Sequence, residues 1–284
     1  MNVLLLIAVM ASMLFQSIAK KQYNIRTKNT GAFIFNALTT LSAGIFFLCT
    51  DSSGFQFDFA LIPYILGFAV SYGSAVMFSF LAIRDGAMSL TSLATSYSLI
   101  IPTIYGLLFL NESAGVFLFI GLILLLCSLF LVNSKKSDSP ITFKWLIYAL
   151  LAFLGNGLGS TIQTAQQNRF EGQYKSEFMI LALVILSIFF FTLSLIKEKA
   201  DNKACLKSNF LLMILNGAAN GFTNLFVMIL VSRGMPASIM FPVISGGGII
   251  FTSLVSIFVY KEKLSAKQYI GLLLGTASVV FMNI

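Results

Sequence analysis

The chain has no histidine, ten acidic residues and three cysteines in 284 positions, and only 10% of it is charged. A soluble domain carries about 25% charged residues, because its surface must face water. The shortage of charge excludes an ordinary cytosolic enzyme, a disordered adaptor and a nucleic-acid-binding domain. General acid–base or metal chemistry wants clusters of His, Asp, Glu or Cys, so no enzymatic activity, cofactor or metal is expected. Cys49 falls at the outer end of the second apolar run, Cys127 inside the fifth and Cys205 between runs. No pair has metal-ligand spacing.

Apolar length is what the chain has instead. Hydrophobic residues make up 58% of it, and the mean hydropathy is +0.92. A helix needs roughly 20 mostly apolar residues to cross a hydrocarbon core. Ten runs qualify: Met1–Ala19, Gly31–Thr50, Leu61–Ile83, Ala87–Leu110, Ser113–Val132, Trp145–Ala165, Phe178–Ile196, Asn209–Val231, Pro236–Val259 and Gln268–Ile284. None holds Asp, Glu, Lys, Arg or His. The short connections make successive helices antiparallel neighbours. The expected fold class is an all-α polytopic membrane protein with ten transmembrane helices. Ser17-Ile18-Ala19 imitates a signal cleavage site, but Lys20-Lys21 follow the first run rather than precede it. That order fits a retained first helix.

The net charge of +8 lies almost wholly between the runs. With the N-terminus outside, the cytoplasmic loops collect fifteen Lys and Arg and the outer loops only Arg169, Lys175 and Arg233. Under the positive-inside rule this asymmetry places both termini outside. Trp145, Tyr260 and Tyr269 suit interfacial anchors.

An internal repeat is visible at a constant offset of 150 between Asn111–Asn133 and Lys261–Asn283. Glu112/Glu262, Ile120/Ile270, Gly121/Gly271, Leu122/Leu272, Leu124/Leu274, Ser128/Ser278 and Asn133/Asn283 are identical pairs. Arg84-Asp85-Gly86 answers Arg233-Gly234, Gly73 answers Gly221 at offset 148, and Ser12…Gln16 aligns with Gly159…Gln163. The chain divides into a five-helix repeat over 1–133 and a second over 134–284. Five is odd, so the second half is inverted relative to the first, a plan recurrent in secondary transporters.

Two such repeats, each with a Glu turn followed by Ile-Gly-Leu (Glu112…Ile120-Gly121-Leu122 and Glu262…Ile270-Gly271-Leu272), resemble an EamA-type member of the drug/metabolite transporter superfamily. The resemblance implies peripheral helices 5 and 10 and a cavity among helices 1, 3, 4, 6, 8 and 9. It also implies export of amino acids or other small metabolites, with sugars or nucleotide derivatives carried by some relatives. Small multidrug-resistance relatives carry a glutamate in their first helix, and Leu4–Ile18 has none.

The polar residues inside the runs are the candidate cavity lining. Asn156, Ser160, Gln163 and Gln167 recur at helical spacing on one face, as do Asn216, Asn220 and Asn224. Gln16, Tyr72, Ser96 and Tyr97 complete the candidate substrate-binding set, with Asn156, Gln163, Asn220 and Asn224. Amides in hydrocarbon are costly unless paired. The alternative is that these side chains are helix–helix glue. Without an intramembrane carboxylate or histidine for a proton relay, the expected substrate is neutral or zwitterionic, driven by its own gradient or by exchange.

Glu112 and Glu262 are expected to cap the helices that follow them, and Asp85 to balance Arg84 or cap helix 4. Pro102 and Pro242 should kink helices 4 and 9, and with Gly246 and Gly247 they are the candidate gating residues. Locking the bend with Gly247→Leu is expected to stop transport without unfolding the chain. The expected function is a multi-pass plasma-membrane exporter, at home in a bacterial inner membrane, whose partners are a small-molecule substrate and the lipid bilayer, with no nucleic acid. A flippase for a lipid-linked headgroup and a sugar or nucleoside carrier are the alternatives.

Overall fold

The computed structural model describes residues 2–28, 30–50, 54–85, 95, 97–112, 115–132, 142–198, 202–258 and 266–281. Glu262 and Ser96 lie outside the described residues. The described chain is helical, with no strand. Its helices are α1 (Asn2–Thr27), α2 (Ala32–Thr50), α3 (Ile62–Asp85, entered through a 3-10 turn at Phe59–Leu61), α4 (Ile100–Phe109) and α5 (Val116–Val132). There follow α6 (Phe143–Arg169), α7 (Lys175–Lys197), α8 (Asn202–Ser232), α9 (Ala237–Phe258) and α10 (Ala266–Phe281). Among the described residues six helices, namely α1, α2, α3 with its 3-10 turn, α6, α7 and α8, are long and apolar enough to cross a membrane. Several outrun the apolar stretches that mark them: α8 covers 31 residues. Hydropathy measures the length that faces hydrocarbon, whereas backbone hydrogen bonding carries a helix on into water.

Packing follows a paired scheme. Helix α3 lies against α6 and α1 against α8; α2 meets α8 and α7 meets α3; α4 meets α6 and α9 meets α1. Three further pairs, α2 with α7, α4 with α9 and α5 with α10, map onto themselves when helix n is exchanged with helix n+5. Ser128 on α5 donates to the Gly271 carbonyl on α10 at 2.6 Å. One apolar core gathers Leu6, Val9 and Met10 of α1 with Leu230 of α8 and Met240 and Phe241 of α9. Another joins Phe47 of α2, Phe68 of α3 and Phe178, Met179 and Leu183 of α7. Many large apolar side chains, among them Leu4, Val70, Leu108, Phe130, Ile188 and Leu273, face outward. In water such a coat would drive aggregation; against lipid tails it is the solvent-matched surface.

Small residues let the backbones close up. A Cβ on Gly155 would stand 2.6 Å from the Ser71 carbonyl oxygen and 2.7 Å from the Ala75 nitrogen, so α6 rides directly on the α3 backbone. At Gly217 it would meet Ser42 and the Thr39 carbonyl, both at 2.5 Å.

Charged groups tie the helix ends. Asp85 pairs with Lys144, at the start of α6, at 3.0 Å. Lys144 is 62% exposed, and water screens the pair. Lys144→Met is therefore expected to lower stability by less than about 1 kcal/mol in thermal unfolding of detergent-purified protein.

The carboxylate of Glu198, beyond α7, accepts from Phe33 N–H at 2.9 Å and Ile34 N–H at 3.3 Å, at the start of α2. Glu177, in the first turn of α7, accepts from Gln56 N–H at 3.1 Å.

Candidate functional site

Four helices bring amides together in the interior. Gln16 of α1 donates through Nε2 to Thr223 Oγ1 at 2.9 Å, and its Oε1 accepts from Asn220 Nδ2 at 3.1 Å. Asn220 Nδ2 also donates to the Tyr72 hydroxyl of α3 at 2.6 Å. Asn224 Nδ2 donates to Asn220 Oδ1 at 3.2 Å, and Gln163 Nε2 of α6 donates to Asn224 Oδ1 at 3.3 Å. The chain of bonds thus runs from α1 through α8 and α3 to α6. Gln16, Gln163, Asn220 and Asn224 are all buried, and Tyr72 stacks on Phe68 with centroids 5.1 Å apart.

The cluster has its own internal relation. Gln16 and Gln163 are 147 residues apart, and Tyr72 and Asn220 are 148 apart. These are the offsets found between Ser12…Gln16 and Gly159…Gln163 and between Gly73 and Gly221 in the sequence. Residues related by those offsets meet in one cluster. The Tyr72 hydroxyl accepts from Asn220, and its own proton has no acceptor among the described residues. Gln163 Oε1 has no donor among them either. A free donor and a free acceptor thus sit in an uncharged, largely sequestered cluster.

The other candidate residues are placed elsewhere. Asn156 Nδ2 donates to Ser98 Oγ at 2.6 Å, braced against the turn before α4 rather than joined to the cluster. The Tyr97 hydroxyl points to α5, donating to the Leu126 carbonyl at 3.3 Å. Gln167 donates to Gln166, which itself donates to the Gln173 carbonyl at 3.2 Å near the end of α6. Asn216 donates to Thr39 Oγ1 at 3.1 Å in the α2–α8 contact. Thr223 and Ser98 are partners that the sequence reading did not single out. Thr223 follows Asn220 by three residues, and that helical spacing was the available signal.

The gating candidates divide. Helix α4 begins only at Ile100, with turn backbone at Ser98 and Leu99. Pro102 has no N–H to offer the Ser98 carbonyl, which instead accepts from Ile101 N–H at 3.0 Å. Pro242, by contrast, lies inside the continuous α9. Gly246 and Gly247 are both buried in α9. The Gly247 position changes the expected outcome there: a Cβ would collide with the Met10 sulfur of α1. A leucine at 247 would have to displace the flexible Met10 side chain, so its effect on flux would be mixed with a disturbed α1–α9 contact. Gly248 has open space around its Cβ position, and Gly248→Ala is the cleaner substitution for stiffening α9. It should raise helix stability by up to about 1 kcal/mol and, if α9 bends during function, slow flux; melting temperature and flux are the two readouts.

Glu112 also departs from expectation. It caps α9, not α5: Oε1 accepts from Ala237 N–H and Oε2 from Ser238 N–H, each at 2.8 Å. Asn111 at φ 52° turns the chain back, and Gly106 leaves room, since a Cβ there would stand 2.5 Å from Glu112 Oε2. The carboxylate meets two unsatisfied amides at the positive end of a helix. Glu112→Ala is expected to cost about 1–3 kcal/mol, read as a lower melting temperature, with Glu112→Gln intermediate.

No protein-family model matches the chain, and no curated protein matches it. Among solved structures 28 chains match. One of them, described only as "Crystal structure of protein", has a TM-score of 0.77 at 12% identity and covers 99% of this chain and 95% of its own. The likeness shows that the whole chain adopts a fold already seen from end to end, and nothing of activity. By fold and surface this is an α-helical membrane protein.

Proposed function

We propose that the protein is a secondary transporter of a small neutral or zwitterionic polar metabolite, working by alternating access between two inverted five-helix repeats. The observation that carries this reading is the amide cluster. Equivalent positions of the two halves, Gln16 with Gln163 and Tyr72 with Asn220, meet there in a bonded group with no formal charge. Substrate sites at the interface of inverted repeats are the recurrent arrangement in secondary transporters.

The packing scheme supports the two-repeat reading, because helix contacts recur when n is exchanged with n+5. Sidedness is supported by the charged ties. Glu112 with the start of α9, and Glu177 with Gln56, join segments that the loop charges put outside. Glu198 with the start of α2, and Asp85 with Lys144, join segments that they put in the cytoplasm. Ten spans with both termini outside accommodate all four. The plasma membrane, and membership of the EamA-type drug/metabolite transporters, belong to the same proposal and rest on the Glu…Ile-Gly-Leu motifs of the two halves.

A free hydroxyl proton on Tyr72 and a free Gln163 Oε1 offer one donor and one acceptor to a substrate that displaces part of the network. A charged substrate would find no counter-ion in the cluster. A stabilisation screen on detergent-purified protein tests this, with pools of amino acids, nucleosides, sugars, lipophilic cations and lipid headgroups. A ligand of the folded state raises the melting temperature by mass action. The expected hit is a neutral or zwitterionic metabolite whose shift disappears in Gln163→Ala. Stabilisation by lipophilic cations, or by lipid-linked headgroups alone, would overturn the reading.

A further inference from the structure

Away from the amide cluster, a cleft of about 200 Å³ opens between the end of α1 and the start of α8, lined by Arg26, Thr27, Lys28 and Thr30 on one side and Cys205 and Ser208 on the other. The hydroxyls are already committed as donors: Thr27 to the Tyr23 carbonyl, Thr30 to the Thr27 carbonyl and Ser208 to the Ala204 carbonyl. Arg26 and Lys28 are exposed and have no ion pair among the described residues. The Glu198 carboxylate accepts from the amides of Phe33 and Ile34 and does not line the cleft. Exposed Lys203 and Lys207 flank the cleft on α8. The result is an anion-seeking site with two free cations and no carboxylate lining it.

Its setting distinguishes a lipid from a free anion. On α8, Ala204, Ser208, Leu211 and Leu215 fall at i, i+4, i+7 and i+11, on one helical face. Leu211 is 69% exposed and Leu215 45%, and Ile25 beside Arg26 is 64% exposed. The basic cleft therefore continues into an apolar strip on the lipid-facing surface. Two exposed cations alone hold a soluble phosphate weakly against water, and acyl contact along the strip supplies the remainder. Basic pockets between transmembrane helices take anionic headgroups in this way.

We propose that the cleft binds the phosphate headgroup of an anionic phospholipid, with an acyl chain lying over Leu211 and Leu215. The inference rests on the membrane setting and is independent of what the amide cluster carries.

Native mass spectrometry of the detergent-purified full chain tests it, with phosphatidylglycerol, phosphatidylcholine and inorganic phosphate as probes. The wild type should retain one phosphatidylglycerol, release it as salt rises, and retain no phosphatidylcholine. Arg26→Gln with Lys28→Gln should bind roughly thirtyfold more weakly, as expected for two lost basic contacts. Arg233→Gln with Lys267→Gln removes the same charge elsewhere and should change nothing. Leu211→Gln should weaken phosphatidylglycerol alone, which provides a second test should the double variant fold poorly. Equal retention by the cleft variant and wild type, or phosphatidylcholine held as well as phosphatidylglycerol, would overturn the proposal. Displacement of phosphatidylglycerol by millimolar inorganic phosphate would overturn the lipid assignment and leave a soluble-anion site.

Discussion

Asn220→Leu is expected to abolish ligand binding and flux while the chain still folds. Asn220 bonds three side chains, those of Gln16, Tyr72 and Asn224, on three different helices or turns. Leucine is close in volume, so the packing of α8 survives, but the buried Gln16 Oε1 is left without its donor, while Asn224 Nδ2 keeps only the Asn220 backbone carbonyl. The orphaned Gln16 oxygen costs about 1–3 kcal/mol. That loss falls on the geometry that would receive a substrate, and the expected fall in affinity is about 100-fold or more. The proper control is Asn216→Leu, one turn away on the same helix. Asn216 bonds Thr39 in the α2–α8 contact, so its replacement should lower the melting temperature and leave binding intact. Equal effects at both positions would mean that the amides act as glue.

Gly155→Leu is expected to prevent folding altogether, and Gly155→Ala to cost about 3 kcal/mol. The atoms in the way, the Ser71 carbonyl oxygen and the Ala75 nitrogen, belong to the α3 backbone and cannot rotate aside. Relief requires α3 and α6 to separate, and between lipid-exposed helices close packing is the main attraction available. Detergent-purified yield and melting temperature measure the effect. Gly115→Ala is the matched control, because nothing lies within 4 Å of its added Cβ. A stable Gly155→Leu variant would show that the α3–α6 contact is looser than described.

Much of the architecture was legible in the chain, since each of the ten apolar runs contains helical backbone. So were most members of the cluster: the spacing of Asn220 and Asn224 and the alignment of Gln16 with Gln163 mark them, whereas Thr223 carries only its three-residue distance from Asn220. Contacts set by the placement of whole helices were not legible. That Glu112 would reach α9 depends on the turn at Asn111 and the gap at Gly106. Asn156 shares a helical face with Gln163, yet seven residues along α6 carry it about 10 Å away, to the break at Ser98. Tyr97 sits one residue before that break, and the interruption of the helical phase accounts for its turn toward α5. Gly247 read as a hinge because glycine loosens a helix, but the sequence carries no sign that Met10 fills the space above it.

Access to the amide cluster from both faces of the membrane is the central claim, and one measurement addresses it directly. Cys49, Cys127 and Cys205 are replaced by serine, Asn224→Cys is introduced, and the protein is reconstituted in one orientation. A membrane-impermeant maleimide is then applied from one side and, separately, from the other. Asn224 is 9% exposed in the conformation described, so a static bundle would leave the new thiol unlabelled. Alternating access predicts slow labelling from each side. Protection from both sides under every condition would contradict it and leave the cluster as a polar seam holding α1, α3, α6 and α8 together.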